Sequence, residues 1–213
     1  MAVPRPAQPD TGLFVVFEGG DGAGKSTQVE LLAEALRGAG RRVLVTRQPG
    51  GTPLGATLRD LVLHGGQVSP RAEALLFAAD KAQHVDQVVR PGLAEGAVVL
   101  SDRFTDSSLA YQGAGRELGV DQVAALLDWA VGGLVPDLTV VLDVPARVGR
   151  ARRGGSPDRV EAERDDFHER VRQGFLDLAA AAPHRYLVID AALPAETVHE
   201  RVLERWLAMG VGA

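Results

Sequence analysis

A glycine-rich run that ends in lysine and serine is the part of the sequence with the clearest chemistry. It reads Gly19-Gly20-Asp21-Gly22-Ala23-Gly24-Lys25-Ser26, is followed by Thr27, and fits the pattern G-x-x-x-x-G-K-[ST]. In such a loop, backbone N–H groups surround a β-phosphate, the lysine reaches the β- and γ-oxygens, and the serine hydroxyl binds Mg²⁺. Residues 19–27 are therefore predicted to bind a nucleoside triphosphate.

A second group of polar side chains comes at the end of a later apolar segment. This segment ends in Ser101-Asp102-Arg103-Phe104, and the ligands of doubly wound sheets bind at the carboxyl ends of the strands. At that edge Asp102 can hold Mg²⁺ through water, as a partner of Ser26, and Arg103 can place its guanidinium on a phosphate. The predicted metal ligands are therefore Ser26 and Asp102.

These residues need a scaffold of alternating strands and helices. Short continuous apolar runs, typical of buried parallel strands, alternate with segments of helical periodicity. Helices are predicted from Lys25 to Gly38 and from about Pro194 to Met209. The predicted strands are Leu13 to Glu18, Arg42 to Thr46, Ala97 to Ser101, Leu138 to Asp143 and Arg185 to Asp190. The pattern indicates an α/β fold, with a five-stranded parallel sheet and helices on both faces.

The bulk properties exclude several classes of protein. With 213 residues, we expect residues 12–213 to form one domain after a Pro-rich leader, residues 1–11, that is expected to be disordered. The absence of cysteine and of a long apolar run favours a cytoplasmic location without membrane association. A net charge of −5 argues against binding to a nucleic-acid polymer.

The phosphate loop alone does not define the reaction. A GTPase normally reads guanine with an Asn-Lys-x-Asp motif, and this sequence contains no asparagine. The run Leu63-His64-Gly65-Gly66-Gln67 is superficially similar to the signature loop of transport ATPases, but we interpret it as a turn between helices. A kinase and an ATPase that drives a partner both remain possible at this point.

Four segments together are more specific than any one of them. They are Phe17-Glu18-Gly19-Gly20-Asp21-Gly22-Ala23-Gly24-Lys25-Ser26-Thr27, Thr46-Arg47-Gln48-Pro49-Gly50-Gly51-Thr52, Ser101-Asp102-Arg103-Phe104 and Tyr111-Gln112-Gly113-Ala114-Gly115-Arg116. In order and spacing the chain resembles bacterial thymidylate kinase, a nucleoside monophosphate kinase, along nearly its whole length. The resemblance implies a P-loop NTPase fold, MgATP as phosphoryl donor, dTMP as acceptor, and a homodimer. The helix at about residues 73–89 could offer an apolar seam for that dimer.

The resemblance also implies an acceptor pocket that faces the phosphate loop. Asp21 would contact the 3′-hydroxyl, and Arg47 and Arg103 would hold the acceptor phosphate. Phe77 would stack on thymine, and Tyr111 would screen the sugar for a 2′-hydroxyl. The base-edge hydrogen bonds would come from Ser108 and Gln112. A kinase for another acceptor is the nearest alternative, and a nucleotide-dependent switch or motor ATPase is a more distant one.

The chain departs from the family pattern at two positions of this pocket. Lys81 stands where an arginine usually reaches the base carbonyl, and a lysine offers a point charge rather than a planar fork. Gln48 replaces the usual glutamate before Pro49 and so removes one carboxylate beside the acceptor phosphate. We expect contacts to the base and phosphate to change accordingly.

Positive charge for the transition state must come from outside the phosphate loop. Some thymidylate kinases carry an arginine at the position of Gly22, where this chain has glycine. A segment at about residues 147–160 instead resembles the lid of the bacterial subtype. Its arginines are Arg150, Arg152, Arg153 and Arg159. Closure of this lid is expected to deliver one of them, and Arg153 is the preferred candidate. The predicted catalytic residues are Lys25, Arg103, Asp21 and Arg153.

Overall fold

Five apolar segments form one parallel sheet in the computed structural model, which describes residues 12–152 and 157–210. The strands are β1 (Leu13–Glu18), β2 (Val43–Arg47), β3 (Val98–Asp102), β4 (Leu138–Asp143) and β5 (Tyr186–Asp190). Their order across the sheet is β2-β3-β1-β4-β5. The central strand β1 pairs with β3 on one side and β4 on the other, so its carboxyl end opens between the two halves of the sheet.

Helices and helical turns connect the strands. The α-helices are α1 (Lys25–Gly38), α2 (Pro53–His64), α3 (Pro70–His84), α4 (Arg90–Ala94), α5 (Thr105–Ser108), α6 (Val120–Val131), α7 (Ala146–Arg152), α8 (Asp165–Ala181) and α9 (Ala195–Ala208). Two π-helical segments, Val85–Val89 and Leu109–Gly115, continue α3 and α5. Such wide turns often occur at functional sites. In the described ranges no helix is both long and apolar enough to cross a membrane.

The side chains of β1 alternate between two apolar layers because successive residues of a strand point to opposite faces. Val15 and Phe17 pack into a core that includes Leu32 of α1 and Trp206 of α9. On the opposite face Phe14 contacts Phe104 edge to face, with 4.9 Å between the ring centroids. A further cluster on the α8 side includes Tyr111, Val141, Phe167 and Phe175. The sheet is therefore covered on both faces, as predicted.

The predicted elements agree closely with the observed ones. All five strands and the helix Lys25–Gly38 are present, and β2 and β3 begin and end one residue later than predicted. The reason is their mutual register, in which Val43 pairs with Val98 and Arg47 with Asp102. The run of residues 63–67 spans the end of α2 and the turn before α3, as predicted. The leader and the centre of the lid, residues 1–11 and 153–156, lie outside the described residues.

Candidate active site

The phosphate loop follows β1 and ends at the N-terminus of α1. Gly24 precedes the helix in the left-handed conformation, with φ of 93°, which glycine adopts without steric cost. The Lys25 ammonium donates hydrogen bonds to the carbonyls of Gly19, over 3.1 Å, and Gly20, over 2.9 Å. Burial and the charge of Arg103 lower the pKa of Lys25 to about 8. The loop thus holds its lysine beside the N-terminus of α1, where anions bind favourably.

Gly22 in this loop packs directly on the first turns of the lid. A Cβ atom on Gly22 would collide with the carbonyl oxygen of Gly149 in α7, and one on Gly149 would collide with that of Asp21. The φ of 76° at Gly22 also disfavours any other residue. The phosphate loop and α7 are therefore in backbone contact, which leaves no room for an arginine side chain at position 22.

Ser26 and Asp102 meet at the edge between β1 and β3. The serine hydroxyl donates to Asp102 Oδ2 over 2.6 Å. A hydroxyl and a carboxylate are suitable oxygen donors for Mg²⁺, which usually keeps several waters and takes further ligands from phosphates. Among the described residues no group of three or more His, Cys, Asp or Glu could hold a metal. The residues present therefore fit Mg²⁺ that arrives with a nucleotide.

Arg103 occupies the point where the phosphate loop meets the pocket predicted for the acceptor. Its backbone has a φ of 70°, an uncommon conformation for a non-glycine residue that often accompanies function. Its guanidinium donates to Asp21 Oδ1 over 2.5 Å, to Ser107 Oγ over 2.9 Å and to the Gly19 carbonyl over 3.1 Å. Arg103 is thus oriented before any substrate binds.

Asp21 accepts hydrogen bonds on both carboxylate oxygens. Arg103 occupies one oxygen, and the hydroxyl of Tyr111 donates to the other over 3.0 Å. Burial raises the pKa of Asp21, but the nearby charges of Arg103 and Lys25 lower it by more, so the pKa lies well below its usual range. Burial also raises the pKa of Tyr111. At neutral pH the pair is an ionised carboxylate and a neutral phenol.

Glu18, which we did not identify from the sequence, supports the turn that contains Arg103. It is fully buried at the end of β1 and accepts hydrogen bonds from the N–H groups of Phe104 and Ser107, over 2.8 and 3.1 Å. The Ser107 hydroxyl donates to it as well, over 2.6 Å. Burial, and then the neighbouring Asp106, raise the pKa of Glu18. The sequence does carry one signal for this role, because Glu18 is a charged residue at the end of an otherwise apolar strand.

A cavity that is open to solvent lies beside Asp21 and Arg103. Every residue predicted for the base and sugar lines it, namely Phe77, Lys81, Ser108, Tyr111 and Gln112. Ser108 and Gln112 are buried and reach the cavity from the helical turns after β3. The residues predicted for the base and sugar are therefore brought together, although they come from distant parts of the chain.

Lys81 lies inside this cavity rather than at the surface. It is 2% exposed, and its ammonium lies 5.5 Å from the centroid of the Phe77 ring. Burial lowers the pKa of Lys81 to about 8. A desolvated ammonium next to an aromatic face can donate a strong hydrogen bond to a carbonyl of a stacked base.

Gln48 belongs to a buried polar group under the loop after β2. Its amide nitrogen lies 2.8 Å from His84 Nδ1, and Thr46 Oγ1 lies 2.6 Å from His84 Nε2. Burial, and then the charge of Lys81, lower the pKa of His84 to about 4, so the ring is neutral at physiological pH. Gln48 can therefore donate to the unprotonated Nδ1 of a neutral His84.

Besides Arg103 and Arg152, the arginines Arg47 and Arg59 line the cavity around the phosphate loop. Arg47 is exposed at the end of β2, where it was predicted, and it lines this cavity together with Lys25, Ser26 and Asp102. Arg59 of α2 lines both this cavity and the acceptor cavity, and it donates to the Pro49 carbonyl over 3.3 Å. Arg59 carries no sequence signal, because arginine is common in this chain and nothing in the sequence of α2 distinguishes it.

The lid arginines have different surroundings. Arg152 lines the cavity of the phosphate loop and donates to the Ala191 carbonyl over 2.6 Å. Arg150 pairs with Asp165 at the start of α8. Arg159 instead contacts Glu73, over 2.5 Å, on the side of the acceptor cavity. Arg153 lies outside the described residues.

A phosphate loop at the carboxyl end of the central strand, with a second cavity across Asp21 and Arg103, defines a P-loop enzyme that acts on nucleotides. Comparison with known proteins gives the family. The sequence model of the family described as thymidylate kinase matches residues 17–202. This chain belongs to the thymidylate kinase family, and it is a phosphotransferase.

Individual relatives and one solved structure agree with this assignment. The thymidylate kinase of Clavibacter sepedonicus is 56% identical over 199 residues, which cover 92% of this chain and 94% of the relative. That of Cutibacterium acnes is 55% identical over 196 residues, or 91% of this chain and 96% of the relative. The crystal structure of thymidylate kinase from Ehrlichia chaffeensis superposes with a TM-score of 0.76 at 34% identity, covering 92% of this chain and 98% of that one.

Proposed function

We propose that this chain transfers the γ-phosphoryl group of ATP to dTMP, giving dTDP and ADP. The proposal depends on one observation: the phosphate-loop cavity and the acceptor cavity share a wall. The residues lining both are Asp21, Gln48, Arg59 and Arg103. A nucleotide in each cavity would place the two phosphate groups against this common wall. Such proximity is the main requirement of phosphoryl transfer.

On the donor side, Lys25 and the N–H groups of residues 19–27 would hold the β- and γ-phosphates. A cavity lined by Gly24, Thr27, Gln28 and Pro194 continues along α1 and is suited to the rest of ATP. Ser26 and Asp102 would hold Mg²⁺, which supplies charge neutralisation of the phosphate oxygens when it is bound. The carboxylate then keeps the serine hydroxyl directed at this position.

On the acceptor side, Arg103, Arg47 and Arg59 would hold the phosphate of dTMP in line with ATP. Phe77 would stack on thymine, Lys81 would donate to a base carbonyl, and Ser108 and Gln112 would read the base edge. Tyr111 and Asp21 would face the deoxyribose. An acceptor phosphate is already ionised near neutral pH, so the transfer needs no general base.

The lid would complete the site by excluding water and adding positive charge. Arg152 is the described lid residue that already lines the phosphate cavity. Arg153, the residue after it, remains our preferred donor of charge to the transition state. Arg150 would brace the end of the lid on Asp165.

We also propose that the chain forms a homodimer and works in the cytoplasm as one domain. Helices α2 and α3 carry partly exposed apolar side chains, including Leu54, Leu61 and Leu75, with exposed fractions of 48%, 47% and 58%. A second copy would cover such residues. Sedimentation of the purified protein across a range of concentrations tests the dimer.

The central experiment is to measure ADP formation with MgATP and each of dTMP, dUMP, dCMP, dAMP, dGMP and thymidine. We expect dTMP to be preferred, and we expect Lys25→Ala and Arg103→Ala to abolish turnover. Arg42→Ala is a matched control, because Arg42 pairs with Glu95 on the surface and both side chains are exposed. Equal ADP formation without an acceptor would make the chain an ATPase. Preference for another acceptor would contradict the assignment of dTMP.

A further inference from the structure

Glu73 is a fully buried carboxylate that neither the reaction nor the sequence motifs explain. It lies in the first turn of α3 and is 0% exposed. Its Oε1 accepts from Gln112 Nε2 over 2.8 Å and from Arg116 Nε over 3.2 Å. Its Oε2 accepts from Arg116 Nη2 over 3.2 Å and from Arg159 Nη2 over 2.5 Å. Both oxygens are therefore in use.

These contacts join two segments that line the acceptor cavity. Gln112 belongs to the helical turn after α5, whereas Asp158, Val160 and Glu161 belong to residues 158–161, a segment that we call the roof. Arg159 lies within the roof and also donates from Nε to the Val62 carbonyl over 2.9 Å. Arg116 makes a second connection between these segments, because it pairs with Glu73 and also with Glu163, which lies just after the roof.

The charge of Glu73 fixes the orientation of the Gln112 amide. An ionised carboxylate accepts hydrogen bonds and cannot donate them, so Gln112 must turn its nitrogen toward Glu73. Burial raises the pKa of Glu73, but hydrogen bonds from Arg116, Gln112 and Arg159 lower it by more. The amide oxygen of Gln112 is then the atom left for the cavity. An oxygen there can accept the N3–H of thymine, whereas N3 of cytosine offers no hydrogen to it.

We propose that Glu73 is a positioning residue that sets acceptor selectivity by orienting Gln112 and anchoring the roof through Arg159. It never touches the acceptor, and its effect passes through these two side chains. The inference rests on the proposed function for the identity of the acceptor. The Glu73 contacts themselves are independent of that identity.

The first test is Glu73→Gln, which keeps the shape of the side chain but lets residue 73 donate as well as accept. We expect the KM for dTMP, and the selectivity for dTMP over dCMP, each to worsen about tenfold, the usual effect of losing a charged hydrogen bond. The KM for ATP should change less than about twofold, since the donor cavity is untouched. Glu95→Gln is the matched control, because Glu95 is exposed and pairs only with surface Arg42 among the contacts described.

A double-mutant cycle separates positioning from a general structural role. In a Gln112→Ala background, Glu73→Gln should lose most of its effect on selectivity, because the amide that it orients is gone. Additive effects of the two substitutions, or a parallel rise of both KM values, would overturn the proposal. If Glu73→Gln does not fold, Glu73→Asp, which keeps the charge on a shorter side chain, enters the same cycle.

Trypsin cleavage after Arg159 in the substrate-free protein tests the anchor without any catalysis. We expect cleavage at this bond to be faster in Glu73→Gln than in Glu95→Gln by about tenfold, because the roof loses a charged contact and opens more often. Unchanged cleavage would overturn the proposal. If the unmodified chain shows no acceptor-dependent ADP formation, the proposed function fails, and the cleavage result alone decides the role of Glu73.

Discussion

The hydroxyl of Tyr111 donates to Asp21 Oδ2 over 3.0 Å and so joins the wall of the acceptor cavity to the phosphate loop. The same ring lies under Arg103, whose guanidinium carbon is 5.2 Å from the ring centroid. One phenol therefore restrains both the carboxylate and the guanidinium of the wall that the two cavities share. The orientation of these charges depends on a side chain that carries no charge itself.

Removing this hydroxyl should slow the reaction more than it weakens the fold. For Tyr111→Phe we expect kcat/KM for dTMP to fall about tenfold, because Asp21 loses one of its two partners and moves more freely. Steady-state kinetics with dTMP at saturating ATP gives this value. The matched change Tyr186→Phe removes a buried hydrogen bond to Asp106 and should mainly lower the melting temperature. An equal loss of kcat/KM in both variants would contradict a specific role of Tyr111.

The buried ammonium of Lys81 should make acceptor binding sensitive to alkaline pH. Its pKa of about 8 means that it loses its proton as the pH rises from 7 to 9. The charged form donates the stronger hydrogen bond to a base carbonyl, so KM for dTMP should rise by up to about tenfold over this range. KM for dTMP and KM for ATP, each measured across this pH range, report separately on the acceptor cavity and the donor cavity.

The control for this pH profile is Lys81→Arg, which keeps a positive charge at this position. A guanidinium stays charged over the whole range, so the rise in KM for dTMP should disappear. A rise that persists in Lys81→Arg would show that another group titrates.

Because Ser26 and Asp102 are in contact, we expect that removing the charge of Asp102 raises the Mg²⁺ concentration that the reaction requires. In Asp102→Asn the charge that orients the serine hydroxyl is lost, and the Mg²⁺ concentration for half-maximal rate should rise about tenfold. Magnesium titration at fixed ATP checks this. Asp60→Asn is a suitable control, since the Asp60 side chain is 83% exposed and pairs with His64 on the surface. Identical magnesium curves for the two variants would argue against Asp102 as part of the metal site.

The backbone contact between Gly22 and Gly149 predicts that even a methyl group in α7 impairs the donor site. In Gly149→Ala the new Cβ would collide with the Asp21 carbonyl, so we expect kcat/KM for ATP to fall about tenfold or more. Gly38→Ala is the matched control at the end of α1, because a Cβ there meets nothing within 4 Å. Full activity of Gly149→Ala would mean that α7 separates freely from the phosphate loop.

The parts of the site that are contiguous in the chain can be predicted from the sequence. Residues 19–27 and α1 could be predicted because strand, glycine loop and helix follow one another directly. The supporting contacts could not, because they join distant segments. Glu73 and Arg159 are 86 positions apart, and their pairing depends on how α3 packs against the turn after the lid. The position of Arg159 in the sequence groups it with the lid arginines, and nothing local indicates that its partner is a buried carboxylate.

The order of the strands has an evolutionary consequence. The ATP phosphates would be held mainly by the loop after β1, whereas the base of the acceptor would be contacted from α3 and from the helical turns after β3. Substitutions among the base contacts can therefore alter the preferred acceptor while the phosphate loop stays intact. Lys81 and Gln48, the two departures from the family pattern, both line the acceptor cavity. Changes at such positions can alter which acceptor is used and still leave in place the loop that binds the energy source.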